Sequence, residues 1–78
     1  MKLTISSVDS VVFSGEAYSV ECPGTAGVFT VLSHHEPLVA SLTMGELRVR
    51  ASKESAPQTF PIQEGVIEVQ HNEAIVLL

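Results

Sequence analysis

Ser33, His34, His35 and Glu36 stand in succession, the densest run of potential ligands, base and nucleophile among the 78 residues. Neighbours on an extended strand point to opposite faces, so His34 and His35 cannot readily share one metal ion. The third histidine, His71, falls in a turn far along the chain, whereas a zinc site needs three or four converging ligands. The expectation is loop imidazoles and no metal. Ser33 beside His34 holds the ingredients of an activated nucleophile, but sequence neighbours rarely have triad geometry and no nucleophile-elbow motif surrounds the serine. A second candidate is Pro23-Gly24-Thr25-Ala26-Gly27, whose glycines could cradle a phosphate. No Lys-Ser/Thr follows it and no helical pattern opens after it, so a turn between two strands is the better reading. The glutamates fall at outward strand positions or in loops, where solvent accounts for them. No catalytic residue, cofactor or metal ligand is expected.

Composition narrows the classes further. Nine acidic against four basic residues give a formal charge of −5, a poor footprint for nucleic acid or for an anionic membrane surface. The cations Arg48, Arg50 and Lys53 gather around one hairpin too sparsely to form a patch. A single cysteine, Cys22, cannot make an internal disulfide; it fits a reducing compartment, and its expected place is the core. Lys2 leads into an alternating segment, unlike a signal peptide. The longest purely apolar run, Ala74 to Leu78, is far short of the roughly 20 residues that span a bilayer as a helix. One domain, residues 1–78, is expected, close to the lower size limit for a core without covalent staples.

The elements that would carry these residues are all strands. Leu3 and Ile5 alternate with Thr4 and Ser6, and Leu47 and Val49 alternate with Glu46, Arg48 and Arg50; a period of two marks a half-buried strand. No window keeps apolar residues at helical spacing. Strands are expected near 2–8, 11–14, 17–22, 28–32, 37–42, 46–51, 59–63, 66–70 and 74–78, with a bulge or turn at Ser14-Gly15 and a tight hairpin at His71-Asn72. Pro61 forbids one ladder hydrogen bond and so favours a sheet edge or the non-bonded side. The expected core is Leu3, Ile5, Phe13, Val20, Phe29, Val31, Leu38, Leu47, Val49, Ile67, Val69, Ile75 and Leu77, and Tyr18 is a further candidate. Val66, Ala74, Val76 and Leu78 would then form an exposed apolar strip, which usually marks an interface. The fold class is all-β: an antiparallel sandwich or flattened barrel of nine to ten short strands, with no C-terminal helical hairpin.

Five segments in order resemble one family. Val12-Phe13-Ser14-Gly15-Glu16-Ala17, then Pro23-Gly24 with Gly27, then Val31-Leu32 with His35 and Pro37-Leu38, then Gly45-x-Leu47-x-Val49, then Gly65-Val66-x-Glu68-Val69-Gln70 with Asn72 and Val76-Leu77, are similar to the epsilon subunit of F-type ATP synthases. The chain departs from the family pattern at Ser33-His34, where Pro-Gly or Pro-x is frequent, and at Glu64-Gly65, where Gly-Gly is frequent. The resemblance implies the family's N-terminal β-sandwich and a non-catalytic part of the rotating central stalk. It implies binding to the gamma subunit and the c-subunit ring, coupling of proton flow to ATP synthesis, and no inhibitory C-terminal helices within these residues. Its expected location is peripheral, on the cytoplasmic face of an energy-transducing membrane that it reaches only through the complex. The ring contacts it implies are Gly24, Thr25, Ala26, Gly27 and Val28, with Val28 at the loop tip, together with Ser33, His34, His35 and Glu36 at the same end of the sandwich. Val66, Val76 and Leu78 would meet gamma or the helices. The alternatives are a free-standing β-sandwich protein-binding module and, less well supported by the residues, a small enzyme.

Overall fold

A computed structural model describes all 78 residues. They form nine strands and no helix: β1 (Lys2–Ser6), β2 (Val11–Glu16), β3 (Ser19–Gly24), β4 (Gly27–Leu32), β5 (Leu38–Leu42), β6 (Gly45–Arg50), β7 (Gln58–Ile62), β8 (Gly65–Gln70) and β9 (Glu73–Leu77). Where charge alternates with aliphatic residues, the faces follow the sequence. Leu47 and Val49 of β6 are buried while Glu46 and Arg48 are exposed, and Ile67 and Val69 of β8 are buried while Glu68 is exposed.

The strands make one curled sheet in the order β2-β1-β9-β8-β5-β3-β6-β7, with β4 attached to the other side of β3. The sheet doubles over at a single pairing between β3 and β5, Gly24 with Leu42. Strands β2-β1-β9-β8-β5 thus face β7-β6-β3-β4 as the two layers of a sandwich. Phe13 of β2 and Phe60 of β7 close the far side, edge to face with ring centres 5.8 Å apart. Every pairing is antiparallel except β1 with β9, which run parallel. Pro61 lies on β7, the last strand of its layer, as its missing N–H requires.

Leu3, Ile5, Val20, Cys22, Val31, Leu47, Val49, Ile67, Val69, Ala74 and Val76 fill the space between the layers, joined by Met1, Ala17, Leu42 and Ile62. Phe13, Phe29 and Leu38, expected in the core, are only half-buried because they sit at the rims of the layers. Tyr18 is exposed; its segment is held by the backbone, with the Tyr18 N–H donating to the Arg50 carbonyl at 2.7 Å.

The structure reverses the expected phase of β9. Ala74 and Val76 are fully buried, whereas Leu77 is 57% exposed and Ile75 half-buried. The run Glu-Ala-Ile-Val-Leu has no polar residue after its first to declare a face, so pairing decides it. Val76 sits opposite Ile67 and Ala74 opposite Val69, both inward-facing, and cross-strand partners share a face. Of the expected exposed strip, Val66 is exposed and Leu78 half-buried. The bulge also moves. Ile5 pairs with Phe13 and Ser6 with Val11, leaving Val12 as the extra residue, while Gly15 continues the ladder opposite Leu3.

Candidate functional site

The register fixes what shares an end. Ser6 pairs with Leu77, Leu77 with Val66, Gly65 with Leu42, Leu42 with Gly24, and Gly45 with Ile62. The β1–β2, β3–β4, β5–β6 and β7–β8 connections therefore gather at one end. At the other, Lys2 pairs with Glu73, Leu38 with Val69, Ser19 with Leu32 and Arg50, and Val49 with Gln58. That end holds the β2–β3, β4–β5, β6–β7 and β8–β9 connections.

This arrangement separates residues expected to act together. Gly24 to Val28 and Ser33 to Glu36 are separated by the remaining four residues of β4, Phe29 to Leu32, and at roughly 3.4 Å per residue they lie at opposite ends of the sandwich. Val28 is also not the tip. Thr25 and Ala26 form the turn, and Val28 lies on β4 opposite Pro23, pointing outward. Gly27 has φ +132°, a conformation that suits glycine, and its neighbour Gly24 leaves no room for a side chain.

The first end carries exposed apolar side chains: Val8, 96% exposed, and Met44, 68%, in its loops, and Val28, 70%, beside the turn on β4. Backbone bonds lock its loops together. The Thr25 N–H donates to the Ser41 carbonyl at 3.1 Å and the Thr43 N–H to the Pro23 carbonyl at 2.8 Å. Beside them an open hollow of about 260 Å³ is lined by Gly24 to Gly27, Phe29, Ala40 and Ser41. No ionisable side chain reaches it, so it offers shape without acid, base or ligand chemistry.

The opposite end carries the histidines and is built for structure. The His34 N–H donates to Asn72 Oδ1 at 2.8 Å, with His34 at φ 64°, His71 at 51° and Asn72 at 56°. Two consecutive residues at positive φ are what the tight β8–β9 hairpin demands. His35 Nδ1 lies 2.8 Å from the Glu36 carbonyl oxygen. The ammonium of Met1 donates to the Ala17 carbonyl at 2.9 Å and to Ser33 Oγ at 3.1 Å, with Glu16 at 3.4 Å. Ser33 thus accepts a structural hydrogen bond. No group of three or more histidine, cysteine or acidic side chains is close enough to hold a metal ion.

A third surface, of which the sequence reading has Val66 but not Val39 or Leu77, is the outer face of β5, β8 and β9. Val39 sits beside Glu68, and Val66 is flanked by Ser41 and Leu77; Val39, Val66 and Leu77 are all exposed. Only the correct phase of β9 brings Leu77 onto this face, and nothing in Ala74 to Leu78 signals that phase.

Cys22 is buried as expected, and burial, with a contribution from Glu21, pushes its thiol up from 9.0 to about 12. Because the unfolded thiol ionises first, this group lowers stability progressively as pH rises from 9 toward 12 and has no effect below that window. At pH 8 a thiol-alkylating reagent should modify Cys22 only as fast as the protein opens, and molar denaturant should release it to stoichiometric labelling. Rapid alkylation of the folded protein would contradict its burial.

Comparison with known proteins covers the whole chain. The family model for the ATP synthase delta/epsilon chain β-sandwich domain matches residues 1–78. The ATP synthase epsilon chain of Chlorobium limicola is 41% identical over 76 residues, spanning 97% of this chain and 85% of that one. That of Chlorobaculum tepidum is 44% identical over 75 residues, spanning 96% and 84%. The Protochlamydia amoebophila epsilon chain is 39% identical over 75 residues, with 96% of this chain matching 50% of that longer one. Among solved structures, a chain from the central stalk and c-ring of the Tetrahymena thermophila mitochondrial ATP synthase superposes with TM-score 0.83 at 14% identity, over 99% of this chain and 61% of that one. A chain of the Euglena gracilis mitochondrial ATP synthase, solved as an OSCP/F1/c-ring assembly, gives 0.86 at 22% identity, over 96% and 48%.

Proposed function

The chain belongs to the ATP synthase delta/epsilon family, as an epsilon-type β-sandwich and non-catalytic subunit, and from that premise we propose that it couples rotation in the central stalk. In this reading it binds the gamma subunit and the c-subunit ring, transmitting rotation between them without making or breaking a bond. The observation that carries the reading is the family match over residues 1–78. The shape of the molecule supports it: two sheet layers packed over a single core form one block that can pass torque from one contact to another.

The two contacts fall on different surfaces. The end with Val8, Ala26 and Met44 in its loops and Val28 on the adjoining strand, with Gly24, Thr25 and Gly27 shaping its central hairpin, meets the ring. The outer face with Val39, Val66 and Leu77 meets gamma, and Leu78 lies at its margin. Ser33, His34, His35 and Glu36 stand at the far end, away from the ring. Val76 takes no part, because it is buried. The chain reaches the membrane only through these partners, and no helix in it is long and apolar enough to cross one. Its place is peripheral, on the cytoplasmic side.

Affinity capture from membranes holding the assembled complex tests both surfaces. Val28→Lys should weaken recovery of c subunits, and Leu77→Glu recovery of gamma, about tenfold each, since an unpaired charge at an apolar contact costs more than about 1.4 kcal/mol. Both side chains are exposed, so both variants should keep the unfolding midpoint of the parent. Unchanged recovery of both partners would remove the proposed surfaces. Failure of the unsubstituted chain to recover either partner would favour the free-standing binding module.

A further inference from the structure

Three strands of the sandwich have a neighbour on one side only: β2, β7 and β4. An open edge presents unpaired N–H and C=O groups that template another strand, and soluble proteins normally guard it with proline, charge or a bulge. Strand β7 carries Pro61 and β2 carries the bulge at Val12. Strand β4, Gly-Val-Phe-Thr-Val-Leu, has no proline, no charge and an unbroken register with β3.

The direction of its free groups follows from Pro23. Pro23 has no N–H, so Pro23–Val28 is a non-bonded pair, and bonded pairs alternate along an antiparallel ladder. Val28, Thr30 and Leu32 therefore turn their N–H and C=O groups away from β3. The Leu32 carbonyl accepts a bond from the His35 N–H at 3.2 Å; Val28 and Thr30 have no partner strand on that side. All three side chains are exposed.

We propose that the free chain associates through β4 with a second copy of itself, as a two-fold dimer whose layers join into one continuous sheet. An antiparallel pair centred on Thr30 brings Thr30 against Thr30 of the second copy and Val28 against Leu32. Those are the residues whose backbone groups point outward, so each bonded rung finds a bonded rung. On the inner side, Phe29 meets Val31. A charged strand meeting its own copy would set like charges side by side, and β4 has none; the self-complementary, isologous contact closes at two copies. The net charge of −5 per chain opposes association at long range, so salt should strengthen the dimer. This inference goes beyond the coupling role and does not depend on it.

Sedimentation equilibrium of the isolated chain across micromolar to millimolar concentration tests the dimer directly. The apparent mass should double from 8.3 kDa, with the transition moving to lower concentration as salt rises. Thr30→Pro removes the central outward donor without breaking a bond to β3, and Thr30→Lys places two cations at the symmetry axis. Both should hold the chain monomeric at concentrations at least about tenfold higher, while Thr59→Lys on the guarded β7 edge should leave the dimer unchanged. Amide exchange covers the case in which a Thr30 variant fails to fold. In the unsubstituted chain, the Val28 and Thr30 amides should exchange quickly when dilute and become protected as concentration rises. A monomer at all concentrations, a dimer indifferent to folded Thr30 variants, or Val28 and Thr30 protection independent of concentration would each overturn the proposal.

Discussion

Replacing Ile67 by alanine should lower the unfolding free energy by about 2–5 kcal/mol, a large part of what a small domain without disulfides commands. Ile67 has no exposed surface and lies on β8 between Ala40 of β5 and Val76 of β9. Alanine would leave a void bounded by ladders on both sides, where the backbone cannot collapse to fill it, so the cost should fall toward the upper part of that range. Equilibrium urea unfolding checks this through the midpoint, with the slope unchanged because the surface exposed on unfolding hardly alters. Val66→Ala, one residue away but outward-facing, should cost less than about 1 kcal/mol. Equal costs at the two positions would mean that the outer face of β8 is covered in the isolated domain.

The contrast between neighbouring positions on β8 was readable in the sequence, because Glu68 and Gln70 declare which face meets water. The same holds for β6, whose Glu46, Arg48 and Arg50 leave Leu47 and Val49 only the interior. Strand β9 carries one marker, Glu73 at its first position on the face of Ile75 and Leu77, but the strand expected over 74–78 leaves it out, and its phase shows in the pairing with β8. A similar limit separated the two candidate contact loops. Each is a turn or loop by its own residues, Gly24 and Gly27 in one and Ser33 to Glu36 in the other. Their placement at opposite ends follows from the length of β4, a relation between turns. The histidines illustrate a further gap. His34 and His71 look like chemistry by type, yet the first lends its backbone to Asn72 and both hold positive φ in tight turns. Spacing already argues for loop imidazoles rather than ligands, and backbone geometry adds which turns they hold.

Gly24→Ala should disrupt both the fold and the proposed ring contact, and of single substitutions at the apolar-tipped end it should do most. A β-carbon there would fall 2.6 Å from the Gly27 carbonyl oxygen and 2.8 Å from the ring of Phe29. The aromatic ring has some freedom to swing, but the carbonyl belongs to the paired strand and moves only if the hairpin opens. Gly24 is also the residue that joins the two layers through Leu42, so an opened hairpin loosens the corner at which the sheet doubles over. Thr25 and Thr43, whose N–H groups bond across that corner to Ser41 and Pro23, would lose their alignment with it. A stability loss of about 2–4 kcal/mol is expected, from the clash and from the backbone bonds it breaks. Gly27→Ala makes the informative partner: nothing lies within 4 Å of its β-carbon, and its cost comes from φ +132° alone, so about 1–2 kcal/mol is expected. Thermal unfolding ranks the two, and recovery of c subunits at a temperature where both remain folded separates stability from contact. Gly24→Ala should fall well below Gly27→Ala in both measurements, because it displaces the hairpin that carries Ala26 and Val28. A Gly24→Ala protein as stable as its parent would mean that the hairpin is not fixed against β5, and the apolar tips would then have no rigid base from which to meet a partner.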